Sequence, residues 1–154
     1  MRTRRFVLKT LSVGALTAMM SSLGLFRSRR TFAERPDAFA ADSSAQTIAA
    51  LAGDTVPLRS DRIRIEIPVL AEDGAVVPVK IHTDLAEVES ISLIAEKNPM
   101  PLVASFKLAT GVVNPFIATR IKLAQSSYVI ALVKAQGRFY IASKSVKVIE
   151  SGCG

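Results

Sequence analysis

Apolar and polar residues alternate along most of the chain after residue 61, and this alternation predicts β-strands. In the first run, Ile63, Ile65 and Ile67 stand between charged residues, so one face of a strand is buried and the other faces water. Further runs rich in β-branched or aromatic residues follow at 76–83, 88–95, 102–109, 116–123, 128–135 and 139–149. The pattern predicts about seven strands.

Turn-forming residues separate these runs. Glycine or asparagine can adopt a positive φ and proline fixes φ, as in Glu72-Asp73-Gly74 and Asn114-Pro115. Gln136-Gly137 predicts a tight hairpin between the last two strands. Short, regularly spaced strands without intervening helices indicate an all-β fold, an immunoglobulin-like antiparallel sandwich of two sheets.

Two further segments, residues 43–52 and 128–133, bear on the predicted fold. Residues 43–52 have helical spacing of apolar positions, with Ser43 or Ser44 as the N-cap and Gly53 as the end, so one short N-terminal helix is predicted. The strand at 128–133 is apolar on both faces. Either it contacts a partner protein, or it is a central strand covered by its own sheets and the helix, and both interpretations stay open.

The N-terminus resembles a twin-arginine (Tat) signal peptide. Arg4-Arg5 precedes an apolar run from Thr10 to Phe26 that contains small polar residues. We expect cleavage after Ala40, with Ala33 as the weaker site and a transmembrane anchor as the alternative to removal. The predicted organisation is a signal peptide at 1–40, a sandwich domain at 41–150 and a C-terminal arm at 151–154, in a periplasmic protein without a stable membrane anchor.

Most of the net charge of +7 belongs to the predicted signal peptide. Residues 1–40 hold 8 of the 20 basic residues and 2 of the 13 acidic ones, which leaves 12 basic and 11 acidic residues for 41–154. A domain with a net charge of +1 lacks the overall excess of positive charge that phosphate-backbone binding needs. We therefore expect neither nucleic acid nor an anionic membrane as a partner.

The residue types needed for catalysis are scarce. One histidine, His82, and one cysteine, Cys153, cannot form a four-ligand zinc site, and the sequence has no CxxC, HExxH, GxSxG or phosphate-binding loop. His82 lies at the end of a predicted strand, where a structural role is more common than a catalytic one. We predict no cofactor, no metal and no enzymatic activity.

The candidate functional residue is the cysteine of the C-terminal tail Ser151-Gly152-Cys153-Gly154. The chain offers no second cysteine for a disulfide, and glycines on both sides cannot bury the thiol, which we expect to reach into solvent. Four residues beyond Glu150 span at most about 13 Å when extended. The tail therefore has the properties of an arm that presents a thiol to other proteins.

Several segments, in this order, resemble the SoxY family of the periplasmic sulfur-oxidation (Sox) system. The resemblance covers residues 41–154 and is carried by 67–79 (IPVLAEDGAVVPV), 96–102 (EKNPMPL), 119–124 (TRIKLA), 146–148 (VKV) and the cysteine tail. It implies an immunoglobulin-like sandwich that pairs with a SoxZ-like sandwich subunit as a heterodimer. It also implies that Cys153 is the covalent attachment site for sulfur-oxidation intermediates, on a carrier arm that includes Ser151, Gly152 and Gly154.

The resemblance implies a reaction cycle in which the carrier itself catalyses nothing. A c-type cytochrome joins thiosulfate to the cysteine as an S-thiosulfonate, a hydrolase releases sulfate, and a sulfane dehydrogenase oxidises the remaining persulfide. The arm departs from the family pattern, because Ser151 replaces a glycine and the chain ends at Gly154, one glycine short.

Two alternatives to a sulfur carrier follow from the same residues. The first is an exported, noncatalytic binding module whose terminal cysteine is incidental or forms an intermolecular disulfide. The second is a thiol peroxidase or disulfide exchanger, which usually needs a resolving cysteine that this chain lacks.

Overall fold

Nine strands and two short helices follow one another in the computed structural model, which describes residues 36–149. The helices are α1 (Pro36–Phe39) and α2 (Ser44–Ala52). The strands are β1 (Leu58–Arg59), β2 (Ile63–Glu66), β3 (Leu70–Ala71), β4 (Val77–Thr83), β5 (Val88–Ala95), β6 (Leu102–Lys107), β7 (Phe116–Ile121), β8 (Ser127–Ala135) and β9 (Arg138–Val148). The predicted signal peptide lies outside the described residues, except for its last residues from Pro36 onward.

The strands form two sheets, as the alternating pattern predicted. The larger sheet has the order β1-β9-β8-β5-β6, with β3 also paired to β9, and the smaller sheet has the order β2-β4-β7. All pairings are antiparallel except those of β1 and β3 with β9, which are parallel. The all-β sandwich is therefore confirmed, and the two strands beyond the predicted seven are β1 and β3, of two residues each.

The core lies between the two sheets. Ile63, Val79 and Ile81 of the small sheet and Leu93 and Val133 of the large sheet belong to one cluster of buried side chains. Strand β4 alternates between buried and exposed or half-buried positions along all of its seven residues. In strand β4 the period-two pattern therefore separates a buried face from an outward face.

The two helices cover the other face of the large sheet. Leu132 of β8 and Ile94 of β5 belong to a second cluster with Ala38 of α1, and Ile48 and Leu51 of α2 pack against it. Ser43 is the N-cap of α2, since its side chain accepts a hydrogen bond from the Gln46 N–H, and Gly53 ends the helix with φ 64°. The chain itself thus covers the centre of strand β8, which is apolar on both faces. This agrees with the interpretation of a central strand covered by its own sheets and the helix.

The β8–β9 connection is the hairpin that the sequence predicted. Gln136 and Gly137 both have positive φ, 50° and 69°, and the strands pair directly on either side of them, Ala135 with Arg138. Two successive residues with positive φ form the type of turn whose twist matches that of the flanking strands. In the part of the chain that the structure describes, neither helix is long and apolar enough to cross a membrane.

Candidate functional site

Strand β9 leads directly to the C-terminal tail, and short strand β3 holds its last residues on one side. The Lys147 N–H donates a hydrogen bond to the Val69 carbonyl at 2.8 Å, and the Ile149 N–H donates to the Ala71 carbonyl at 2.9 Å. Val146, three residues before Ile149, is fully buried in the core. The backbone is therefore fixed as far as Ile149 on this side.

A serine side chain holds the same strand end on its other side. The Val148 N–H donates to Ser126 Oγ at 3.0 Å, and Ser126 Oγ lies 3.4 Å from the Val148 carbonyl, to which it donates. Strand β8 begins one residue later, at Ser127. The end of β9 is therefore bonded on both sides to neighbouring segments, and we call this region, residues 146–149, the arm root.

Gly74 allows a third segment to approach the arm root closely. The Leu123 N–H donates to the Gly74 carbonyl at 2.7 Å. A Cβ on residue 74 would lie 2.5 Å from the Leu123 carbonyl oxygen and 2.9 Å from Cγ1 of Val148. Both distances are shorter than carbon atoms tolerate, so glycine is required here by close packing.

The side chain of Asn98 joins the β5–β6 turn to the segment after β7. Its Nδ2 donates to the Lys122 carbonyl at 2.8 Å, and its Oδ1 accepts from the Ala124 N–H at 2.9 Å. Next to it, Ser127 Oγ accepts a hydrogen bond from the Lys97 N–H at 3.0 Å. A single amide side chain thus satisfies two backbone groups that no sheet pairing reaches.

The four segments that carry the family resemblance therefore meet at one end of the sandwich. Val69, Ala71 and Gly74 come from 67–79, Asn98 from 96–102, Leu123 from 119–124 and Val148 from 146–148. The segments are distant in sequence but adjacent around the arm root. Sequence reasoning identified Gly74 as a turn residue, included Asn98 only as part of the segment 96–102, and did not single out Ser126.

Exposed apolar side chains surround the arm root. Val69, Leu70 and Ile149 are 66%, 54% and 45% exposed, on the two segments that pair there. Isolated exposed apolar residues are common, but three on paired neighbouring segments form a local apolar surface.

The predicted attachment residue and arm lie outside the described residues. Cys153, Ser151, Gly152 and Gly154 therefore remain sequence predictions, and the structure describes the chain only as far as the arm root that precedes them.

His82 lies away from the core, on the outward face of the small sheet. Its ring contacts that of Phe116, with centroids 4.6 Å apart, and its Nε2 lies 3.3 Å from Oε1 of Glu66. Asp84, close to His82 in sequence, instead pairs with Arg62. His82 Nε2 is buried and makes no hydrogen bond, and the structural role predicted for His82 stays a prediction.

The described part of the chain contains no group of three or more His, Cys, Asp or Glu side chains that could hold a metal ion. The ionisable group whose pKa is perturbed there is Glu89. The Lys134 ammonium and the Gly137 N–H both bond its carboxylate and lower its pKa, far from the arm root in sequence.

Two comparisons with known proteins bear on the identity of this fold. The solved structure of the sulfur carrier protein SoxY from Chlorobium limicola f thiosulfatophilum is 34% identical, with a TM-score of 0.64, and the match covers 72% of this chain and 96% of that chain. A superoxide reductase (neelaredoxin) from Ignicoccus hospitalis is 19% identical, with a TM-score of 0.50, over 60% of this chain and 95% of that chain. The second likeness concerns the fold alone.

The family comparison covers the sandwich together with its tail. None of the curated proteins matches the chain. The family model described as sulfur oxidation protein SoxY matches residues 48–153, a range that contains all four segments around the arm root and ends at the cysteine. The chain belongs to the SoxY family.

Proposed function

We propose that this protein carries intermediates of sulfur oxidation covalently on Cys153. Its family membership makes it a carrier protein of sulfur oxidation and not an enzyme. One observation supports the proposed attachment site above the others: the family match continues through the arm root and includes Cys153. The thiol is thus part of the region that defines the family.

The loading step forms a bond between two sulfur atoms. The Cys153 thiol and thiosulfate, S₂O₃²⁻, give the S-thiosulfonate Cys–S–S–SO₃⁻, one proton and two electrons. The thiol sulfur and the sulfane sulfur of thiosulfate are oxidised, and a c-type cytochrome accepts the two electrons in one-electron steps. The protein supplies the nucleophilic sulfur, and the oxidising power comes from the partner.

The unloading step breaks the bond between the sulfane sulfur and the sulfonate group. Water and Cys–S–S–SO₃⁻ give the persulfide Cys–S–SH, sulfate and one proton, in a reaction catalysed by a partner hydrolase. A sulfane dehydrogenase then converts the persulfide and three water molecules to Cys–S–SO₃⁻, seven protons and six electrons, which a c-type cytochrome accepts one at a time. Hydrolysis of Cys–S–SO₃⁻ gives the free thiol, sulfate and one proton. Each enzyme needs access to the same sulfur in turn.

The arm root supports a role in which this protein presents the cysteine and its partner enzymes carry out the reactions. Hydrogen bonds to residues 69–71 on one side and to Ser126 on the other hold the backbone as far as Ile149, so the tail begins at a defined point of the surface. The residues beyond Glu150 reach at most about 13 Å. The glycines next to Cys153 carry no Cβ, so the backbone fits a narrow entrance to a partner's active site.

The protein is proposed to work in the periplasm as one subunit of a heterodimer. The Arg4-Arg5 pair and the apolar run after it support export by the twin-arginine route. Family membership supports partners from the sulfur-oxidation system in general. A SoxZ-like sandwich subunit, the cytochrome, the hydrolase and the dehydrogenase are the proposed partners.

Mass spectrometry of Cys153 tests the attachment. After incubation with thiosulfate and the partner enzymes, we expect an adduct with the mass of an S-thiosulfonate or persulfide on the C-terminal peptide. Cys153→Ser should abolish the adduct and thiosulfate oxidation, while the urea midpoint stays unchanged because we predict that the arm reaches into solvent.

Ser151→Gly is the matched control, because it alters the same arm and restores the family residue. It should load at least as well as the wild type. A chain that lacks residues 151–154 and still supports full thiosulfate oxidation would contradict the proposal and favour a binding module with an incidental cysteine.

A further inference from the structure

The two sheets differ in what covers their outward faces. Helices α1 and α2 pack on the outward face of the large sheet. In the part of the chain that the structure describes, no element packs on the outward face of the three-stranded sheet. Its outward residues are Arg64, Glu66, Pro78, Lys80, His82, Phe116, Ala118 and Arg120. We call this surface the basic face.

Positive charge is concentrated on the basic face. Arg64, Lys80 and Arg120 are exposed, and none of them takes part in the three ion pairs found among residues 36–149. The one carboxylate among the outward residues, Glu66, lies against His82. Glu66 is also the register partner of Lys80, although the two form no ion pair. A domain whose overall net charge is close to zero thus presents three cations and one carboxylate on one open surface.

The basic face also contains a depression lined partly by small side chains, on which another protein surface could pack. A depression of about 610 Å³ is lined by Pro78, Lys80, Ala118, Thr119 and Arg120. In the strand register Lys80 lies opposite Ala118 and Pro78 opposite Arg120, so the two cations flank the small residues diagonally. Phe116, 53% exposed, stands at the other end of the same strand. Exposed aromatic and arginine side chains are typical of protein interfaces.

The basic face borders the arm root. Strand β7 ends at Ile121, one residue after Arg120, and the chain goes on to Leu123, whose carbonyl oxygen lies against Gly74 next to Val148. Three residues of extended chain correspond to about 10 Å. This is comparable to the reach of the arm, so a protein docked on the basic face would have its nearest surface within reach of the tail.

We propose that the basic face docks an acidic surface patch on an enzyme that acts on the arm. The inference rests on the proposed carrier function and specifies the chemistry of the partner surface. A carrier must release each enzyme before the next one can act, and complementary surface charge speeds encounter without requiring a long-lived complex. Such docking weakens as salt screens the charges.

The surface can be tested directly by titrating the ¹⁵N-labelled processed protein with poly-L-glutamate and monitoring its amide NMR signals. We expect shifts concentrated at Lys80, Ala118 and Arg120 that disappear at high ionic strength. No shifts, or shifts spread evenly over both sheets, would overturn the proposal. Binding to phosphatidylglycerol vesicles without any response to poly-L-glutamate would also overturn it, because the surface would then recognise a membrane.

Charge-reversal variants provide the second part of the test. The double variant K80E/R120E should lower the affinity for poly-L-glutamate about tenfold or more. K107E/R138E, which changes the net charge equally at exposed positions of β6 and β9, should remain within about twofold of the wild type. Equal losses of affinity in both variants would mean that only the net charge matters, and this would contradict the proposal.

The same variants separate this inference from the proposed function. With the pathway enzymes, K80E/R120E should form the Cys153 adduct about tenfold more slowly at limiting carrier concentration and at the wild-type rate at saturation. Adduct formation at an unchanged rate under both conditions would refute the docking surface and leave the carrier function intact. C153S should bind poly-L-glutamate as the wild type does, so failure of the carrier function would not affect the first measurement.

Discussion

At the scale of single residues, Gly74 shows how a turn residue can be required for a reason unrelated to turning. The sequence predicted a turn at Glu72-Asp73-Gly74 on the basis of backbone freedom. Among the described glycines, however, those with positive φ are Gly53, Gly111 and Gly137, and Gly74 is not one of them. Its requirement comes from packing against Leu123 and Val148, which only the folded structure reveals.

Gly74→Ala should therefore destabilise the protein by about 1 to 3 kcal/mol, because the added methyl overlaps a backbone oxygen that cannot easily move. Urea unfolding measures the loss, and faster exchange of the Val148 amide would locate it at the arm root. Gly111→Ala is the control, since its Cβ would meet open space and only the φ of 87° is strained, at about 1 kcal/mol. A smaller loss for Gly74→Ala than for Gly111→Ala would contradict this explanation.

At the scale of elements, strand β8 shows why an apolar sequence is not by itself an exposed surface. Its residues Val129, Ala131 and Val133 face the sandwich core, and Leu132 faces the helices. Tyr128, on the same face as Leu132, remains 52% exposed because the helices do not extend to that end of the sheet. On this face of β8, the centre of the strand is therefore buried and its first residues are partly exposed.

Leu132→Ala and Tyr128→Ala form a matched pair that tests this difference. Leu132→Ala should lower the free energy of unfolding by about 2 kcal/mol or more, because it leaves a cavity beneath the helices. Tyr128→Ala should cost less than about 1 kcal/mol, because half of its side chain already contacts water. Thermal or urea unfolding of both variants provides the comparison, and similar losses would mean that the helices do not cover the strand centre.

Much of this architecture could be predicted from the sequence, and the exceptions have a common physical cause. Strands β2 and β4 to β9 were predicted because period-two alternation over several residues marks a half-buried strand. Strands β1 and β3, two residues each, are too short to have a period and exist because β9 lies beside them. The contacts of Ser126 and Asn98 at the arm root likewise depend on segments that meet only after folding.

At the scale of the whole molecule, the predicted processing site divides a packed region. Cleavage after Ala40 would remove α1, although Ala38 is 1% exposed and belongs to the cluster that covers Ile94, Leu102 and Leu132. The signal peptide and the sandwich domain at 41–150 remain predictions. If cleavage occurs there, the processed protein loses part of the cover of its large sheet.

We therefore expect a chain that begins at Ala41 to be less stable than one that begins at Pro36, by about 1 kcal/mol. The loss corresponds to the burial of roughly one methyl group together with the newly exposed surface around it. Urea unfolding of the two chains measures the difference, and Ala38→Asp in the longer chain should reproduce it. Equal midpoints would mean that α1 contributes nothing to the fold, and the intact mass of the exported protein would show which chain the cell uses.

Strand β9 also has a mechanical consequence for a protein whose terminal tail is handled by other molecules. Its eleven residues pair with β8 along most of their length, and β1 and β3 add parallel pairings on the opposite edge. A force applied to Ile149 along the direction of β9 would load many backbone hydrogen bonds together instead of opening them one after another. An enzyme that drew on the proposed arm in that direction would therefore be resisted by all of these pairings at once.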